Sequence, residues 1–333
     1  MILALETSCD DTCAAVVTRG GEVRASIRST QADLHARFGG VVPEIASRRH
    51  LELVVPVIEA ALADAGATLG DLESVAVTQG PGLIGALLVG LSTAKALAYA
   101  RGLPLVPVDH LLGHIAALRL APLALEPPFA CLLASGGHTL VLDVGEYALP
   151  IRLGGTRDDA AGEAFDKGAR LLGLSAAGGA ALEALAREGD AQRFPFPHVL
   201  RGQSGHDLSF SGLKTALLYT VRDLGDGLAE ARADLAASYQ AAIVRQLVER
   251  AEGALAATGH GALAVVGGVA ANGALRDALA TACAARGARL CLLPPALCVD
   301  NAAMIAAASL SGREWAPRDY LALDAYARSP LAG

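Results

Sequence analysis

The chain has 333 residues, a net charge of −7, and a composition that is 53% hydrophobic but only 4% aromatic. That length leaves ample core for two domains or one large α/β unit. The acidic balance excludes a protein coated in phosphate-binding charge, though not a local basic patch. Six scattered cysteines (Cys9, Cys13, Cys131, Cys283, Cys291 and Cys298), none in a CxxC pair, and the lack of a signal peptide predict a reduced, cytoplasmic protein.

In chain order, "MILAL" reads as a buried strand, "ETSCDDT" as a polar turn carrying Glu6, Asp10 and Asp11, and "CAAVV" and "GGEVRASIRS" as two further strands of a meander. From Glu44 to Ala65 apolar residues fall at helical spacing (Leu51, Val54, Val55, Ile58, Leu62). "SVAVTQ" is a strand, followed by a glycine turn into the long run "GPGLIGALLVGLSTAKALAYA". Ser92, Thr93 and Lys95 interrupt Leu83–Ala100, which predicts a buried helix and no membrane span. "LPLVPVD" is a strand leading to His110. The opening design then returns as "FACLLA", "SGGH", "TLVLDVG" and "ALPIRLGG", which predicts two duplicated halves with a break near "APLALEPPF".

Helices are predicted around Glu163–Leu172, Ala180–Arg187, Gly212–Val221 and Leu228–Ala257, with an irregular insert from Phe194 to Phe210. "ALAVVGGVAANGAL" is strand, Gly-Gly, helix; "ARLCLLP" is a last strand; "VDNAAMIAAASL" is a helix opened by Asp300 and Asn301. Alternating strands and helices make this an α/β protein with covered sheets. Glycine pairs such as Gly39-Gly40, Gly136-Gly137, Gly178-Gly179 and Gly267-Gly268 mark places where backbone approaches backbone or a ligand. Only three lysines exist, Lys95, Lys167 and Lys214, a matter either of base composition or of positions that need a compact ammonium.

Two histidines, His110 and His114, stand four apart and so share a helix face. Two imidazoles there can chelate a divalent metal; packed or surface histidines are the plainer alternative. A zincin would carry Glu where this chain has Leu111, so metalloprotease chemistry is disfavoured. Asp300 is the candidate third ligand, although spacing does not select it and capping explains one of Asp300 and Asn301. Ser135-Gly136-Gly137 after a strand offers an anion nest or an ordinary hairpin turn. Asn272, in the first turn after Gly267-Gly268, caps a helix or reaches a ligand at its N-terminus. Among Asp158, Asp159, Glu163 and Asp166, acids that suit a helix start, Asp166 could also bond a ribose or substrate hydroxyl.

The stretches "ETSCDDT", "GGVVPEIASRRH", "TQGPGLIGALLVGLSTAKALA", "DHLLGH", "SGGHT", "DDAAGEAFDK", "FSGLKTA", "GGVAANGALR" and "DNAAMIA" resemble, in order, the tRNA adenosine threonylcarbamoyltransferase family, once labelled O-sialoglycoprotein endopeptidases. The resemblance runs from Ile2 to Ala327, and the length without a fused kinase resembles the bacterial form. It implies the duplicated fold of actin, sugar kinases and Hsp70 (ASKHA), with two similar lobes around a cleft. The first lobe would be 1–121 and the second 122–299, with about 300–327 a candidate to pack back on the first. It implies one divalent metal, iron or zinc, on His110, His114 and Asp300, with Mg2+ accompanying any nucleotide. By the same resemblance Ala134, Ser135, Gly136, Gly137, His138, Asp166, Gly179 and Asn272 would hold the adenylate, with Glu183 a further member. His138, next to the nest, is the candidate catalytic base. Ala180 stands where the family often has proline, which should loosen that loop.

The implied reaction moves threonylcarbamoyl from threonylcarbamoyl-AMP to the exocyclic amine of the adenosine 3′ of the anticodon in tRNAs reading ANN codons, releasing AMP. Implied partners are tRNA, a paralogous actin-like subunit of the TsaB type and a small ATPase of the TsaE type, with no membrane. Positive charge for tRNA is local, at Ser47–His50 and Arg201. An ATP-dependent small-molecule kinase on the same fold and a non-enzymatic nucleotide-binding partner are the competing readings. A protease reading lacks HExxH and any Ser/His/Asp arrangement.

Overall fold

Apolar runs of five to seven residues bounded by polar turns are buried on both faces when they become strands, and two five-stranded mixed sheets follow from them. The computed structural model describes residues 1–120, 124–174, 178–312, 314–316 and 319–332. Contacts divide the chain into two units: Met1–Glu126 with Glu146–Leu149 and Val299–Gly333, and Pro127–Gly145 with Pro150–Cys298.

In the first unit, β1 (Ile2–Glu6), β2 (Asp11–Val17) and β3 (Val23–Thr30) form the expected meander. After α1 (Ala32–Ala36) and α2 (Pro43–Asp64), β4 (Ser74–Gly80) joins β1 in parallel. Then α3 (Ile84–Arg101), β5 (Leu105–Asp109) and α4 (His110–Ala116) follow, giving the strand order β3-β2-β1-β4-β5. β1 is buried at every position.

In the second unit, β6 (Phe129–Ala134), β7 (Thr139–Val144) and β8 (Ile151–Gly155) repeat the meander. The helices α5 (Ala161–Leu171), α6 (Gly178–Ala186), α7 (Ser211–Leu224) and α8 (Leu228–Thr258) lead to β9 (Ala262–Val266), and α9 (Gly273–Arg286) to β10 (Arg289–Leu292). The order β8-β7-β6-β9-β10 reproduces that of the first sheet element for element, so the predicted duplication is present. After the one-turn α10 (Pro295–Cys298), α11 (Ala302–Ser309) belongs to the first unit, where it packs on α4 and β2. The insert 194–210 contains no helix or strand beyond an isolated bridge from Leu208 to Thr156. No helix among the described residues is long and apolar enough to cross a membrane.

Candidate functional site

The two histidines ride on α4 because Asp109, the last residue of β5, caps it. Its Oδ1 accepts the N–H groups of Leu111 (2.8 Å) and Leu112 (3.3 Å). A Cβ at Gly113 would lie 2.8 Å from Ile305 Cδ1, so glycine lets α11 press against α4. Asp300 immediately precedes Asn301, the N-cap of α11, whose side chain accepts the Met304 N–H. The helix contact thereby delivers Asp300 to the histidines. Its Oδ1 lies 3.6 Å from His110 Nε2 and 3.3 Å from His114 Nε2, and one ligand atom from each residue falls within 4.8 Å of the others.

Both ring nitrogens of His114 are buried and make no hydrogen bond among the described residues. The 3.3 Å approach to Asp300 therefore does not serve as one. Buried polar atoms without partners carry a desolvation cost, and a cation shared with Asp300 and His110 is the partner this geometry suits. Two imidazoles and a carboxylate are borderline donors fitted to a first-row divalent metal, and three protein ligands leave coordination positions open. The residues present fit the metal that the motif implies.

Glu6 completes this corner, and it is the residue that the motif reading left as one acid of a polar turn. It ends β1, is 1% exposed, and its Oε2 lies 2.9 Å from His110 Nδ1. Glu6 also accepts the Thr78 hydroxyl at 2.6 Å and the Ser8 N–H at 2.5 Å. With Nδ1 held by the carboxylate, Nε2 of His110 is the nitrogen presented to Asp300. The charges answer one another. Burial alone would lower the His110 imidazole, but Glu6 and Asp300 outweigh it and push the group up to about 9. Burial alone would raise both acids, but the His110 charge holds Glu6 below, and His110 with His114 holds Asp300 well below, the ordinary carboxylate range. The two carboxylates thus favour positive charge at His110.

The second unit contains a separate cavity of ≈ 260 Å³ lined by Gly136, Gly162, Phe165, Asp166, Gly179, Ala180, Glu183, Gly268, Val269, Ala271 and Asn272. Of the nine residues assigned to the adenylate, five therefore line one cavity: Gly136, Asp166, Gly179, Glu183 and Asn272. Ala134 is the buried end of β6. Ser135 and His138 close the hairpin turn, Ser135 N–H donating to the His138 carbonyl (2.8 Å) and His138 N–H to Ser135 Oγ (3.1 Å). Those two and Gly137 are not among the lining residues.

Asp166 accepts the Gly179 N–H at 2.9 Å, and burial pushes its carboxyl up. A Cβ at Gly178 would stand 1.8 Å from Asp166 Oδ1, at a φ of +25°. Glycine is required there for the carboxylate to reach the helix start. Asn272 caps α9 through the Leu275 N–H (2.9 Å) while donating to Gln240 Oε1 (2.8 Å). Glu183 accepts the Gly273 N–H at 3.0 Å. The capping use of Asn272 and its place on the cavity wall thus coexist.

The remaining acids and the lysines are structural. Asp158 accepts from the Ser209 and Ser211 hydroxyls and from the Phe210 and Ser211 N–H groups, tying the insert to the start of α7. Asp159 takes the ammonium groups of Lys167 (3.0 Å) and Lys214 (2.6 Å), and Lys167 also pairs with Glu163 at 2.7 Å. Lys95 donates to the carbonyls of Leu321 and Leu323.

Comparison with known proteins assigns the family. The model of the tRNA N6-adenosine threonylcarbamoyltransferase family (TsaD) matches residues 22–307. The protein of that name from Symbiobacterium thermophilum is 53% identical over 308 residues, covering 92% of this chain and 90% of its own. That from Moorella thermoacetica is 50% identical over 338 residues, covering 99% and 97%. Among solved structures, full-length HypF in its phosphate- and nucleotide-bound form matches with a TM-score of 0.61 at 15% identity, over 98% of this chain and 47% of HypF. Component A of the (R)-2-hydroxyglutaryl-CoA dehydratase of Acidaminococcus fermentans matches with a TM-score of 0.56 at 15% identity, over 96% and 98%. At that identity the two structures speak for the actin-like fold alone. The chain belongs to the tRNA N6-adenosine threonylcarbamoyltransferase family.

Proposed function

We propose that this chain transfers the threonylcarbamoyl group of threonylcarbamoyl-AMP to N6 of the adenosine 3′ of the anticodon in tRNAs reading ANN codons. The observation that carries the reading is 50% identity over 99% of the chain to a protein named for that transfer. The amine attacks the carbamoyl carbon, the bond to the AMP phosphate oxygen breaks, and the amine loses a proton. Nothing favours the kinase or the non-enzymatic partner in its place.

The cavity of the second unit would take the adenylate. Asp166 and Glu183 are the acceptors there for hydroxyl groups, and Gly136, Gly179 and Gly268 let backbone approach the ligand closely. Ser135, Gly137 and His138 would act from the adjoining turn, His138 as the proton acceptor. In the first unit His110, His114 and Asp300 would hold iron or zinc. Such an ion supplies Lewis-acid withdrawal of charge from substrate oxygens. Glu6 keeps the His110 ring turned and its Nε2 available. Mg2+ would accompany a bound nucleotide.

The reaction is cytoplasmic and uses a TsaB-type paralogue and a TsaE-type ATPase. Leu51 and Val55 on α2 and Ile84 and Leu88 on α3 are 40–66% exposed on two helices that pack together, which suits an apolar partner face. Exposed Arg48, Arg49 and Arg201 offer phosphate contacts to tRNA.

The test is single-turnover transfer with the partner proteins, threonylcarbamoyl-AMP and unmodified tRNA, reading the nucleoside by mass. Modified adenosine and stoichiometric AMP are expected. A folded, metal-loaded chain with active partners and no modified adenosine would reject the reading.

A further inference from the structure

The N-cap that presents the metal-site histidines is itself held by the far end of the chain. Asp109 uses Oδ1 for the α4 amides. Its Oδ2 accepts the Tyr326 hydroxyl at 2.8 Å and the Ser329 hydroxyl at 2.7 Å, so one carboxylate joins a helix start to residues 217 and 220 positions away. The tail that carries those hydroxyls is fastened along its length. Tyr326 N–H donates to the Gln79 carbonyl (3.2 Å), and the Gln79 side chain donates to the Asp324 carbonyl (2.8 Å). Lys95 holds the carbonyls of Leu321 and Leu323. Gly80, which lies opposite Asp109 in the β4–β5 ladder, leaves the room: a Cβ there would meet the Tyr326 carbonyl oxygen at 2.2 Å.

A terminal segment stays ordered only when it is tied down, and four of these bonds fall on an N-cap and the strand beside it. A carboxylate that accepts two hydroxyls on one oxygen is fixed in rotation, and with it the amides and the first helical residue, His110. We propose that residues 319–331 are a positioning strap for the metal helix: through Tyr326, Ser329 and the Asp109 carboxylate they set the orientation of His110 and so the affinity for the divalent ion. The proposal rests on the metal reading of His110, His114 and Asp300. Neither hydroxyl touches the ion or the substrate. Partners one shell beyond the ligands typically change metal affinity about 10- to 100-fold, and hydroxyls acting through a cap belong at the low end.

The experiment titrates metal-free full-length chain with Zn2+ against a chromogenic chelator, and measures hydrogen exchange of the Leu111 and Leu112 amides without metal. The expected result for Tyr326→Phe/Ser329→Ala is zinc affinity weaker by about tenfold with faster exchange at both amides. Asp109→Asn, whose amide keeps a cap acceptor and can still donate to both hydroxyl oxygens, should lose less affinity than the double variant. Ser329→Thr, which keeps the hydroxyl, should restore most of the loss in the Tyr326→Phe background. Unchanged affinity and exchange in the double variant would overturn the strap, as would an affinity loss that Ser329→Thr leaves unrepaired. A wild type that binds no zinc or iron overturns the metal reading itself, and the strap's purpose with it.

Discussion

The two units repeat one strand order, yet their first hairpin turns carry opposite chemistry. Between β1 and β2 stand Thr7, Ser8, Cys9 and Asp10, flanked by Glu6 and Asp11; between β6 and β7 stand Ser135, Gly136, Gly137 and His138. In the first unit the strand end contributes a buried carboxylate, which orients a histidine on α4. In the second it contributes backbone, because glycine lets a wall of the cavity approach without a side chain. The same difference recurs after the last parallel strand: β5 runs into the capped, histidine-bearing α4, whereas β10 runs into one turn of helix. Duplication supplied two equivalent scaffolds. One has been turned toward charged side chains in a dry setting, the other toward backbone and small residues around a space.

The sharpest break of that comparison is removal of a ligand. His114→Ala or Asp300→Ala should abolish stoichiometric metal and slow single-turnover transfer by about two to three orders of magnitude, since Lewis-acid assistance is worth several kcal/mol at ~1.4 kcal/mol per tenfold. AMP binding, read by titration calorimetry, should be unaffected if the second unit holds the adenylate on its own. Glu6→Gln comes next. It keeps the shape but leaves His110 without its carboxylate, so metal affinity should fall about 10- to 100-fold; an unchanged chelator titration would deny Glu6 its orienting role.

Gly178→Ala probes the other unit. Its Cβ would displace Asp166, so stability should drop about 1–3 kcal/mol by urea unfolding, and AMP binding should weaken while metal content holds. Retained AMP affinity would remove Asp166 from the adenylate site.

The smallest effect is a pH dependence at the first turn. Burial pushes the Asp11 carboxyl up to about 6, with Arg28, 3.5 Å away, offsetting part of it. A raised acid binds its proton more tightly folded than unfolded. The stability it contributes is therefore full below the ordinary carboxylate value and is lost as pH rises through 6. Asp11→Asn should remove that decline, worth at most about 3 kcal/mol, so the gap in unfolding midpoint between variant and wild type should widen from pH 4 to pH 6.5. A gap that stays constant would show that Asp11 titrates normally.

Much of the fold was legible because the central strands of both sheets are buried on both faces. Strands such as "MILAL" and "FACLLA" then stand out as unbroken apolar runs between polar turns, and the second set repeats the first. His110 and His114 were legible because four residues is one helical turn. Asp300 was a candidate third ligand that spacing could not select: it reaches the pair through the α4–α11 contact at Gly113, and the resemblance to a family pointed to the same residue. Glu6 was hidden for the same reason. It is 104 residues from His110, and in the sequence it is one acid of a polar turn, with nothing there to pair it with a histidine. Asp109 looked like a strand end, and that its second oxygen would be taken by residues at the opposite end of the chain is a fact of tertiary packing. The acids at 158, 159, 163 and 166 look alike in sequence; only the hydrogen-bond partners separate the three structural ones from the one facing the cavity.

The lysines bear on a different hazard. An acyl adenylate is an indiscriminate acylating agent, and neutral amines are the groups it modifies first. In this chain only three lysines occur: two are paired with Asp159 and one is bound to main-chain carbonyls. Hydrogen bonds to Glu163 and Asp159 push the Lys167 ammonium further up, away from its nucleophilic form. The remaining Lys and Arg side chains are all guanidinium groups, which stay protonated and unreactive at any working pH. Toward the carbamoyl donor proposed above, a protein so composed would offer few amines of its own, leaving the adenosine amine to compete against few others.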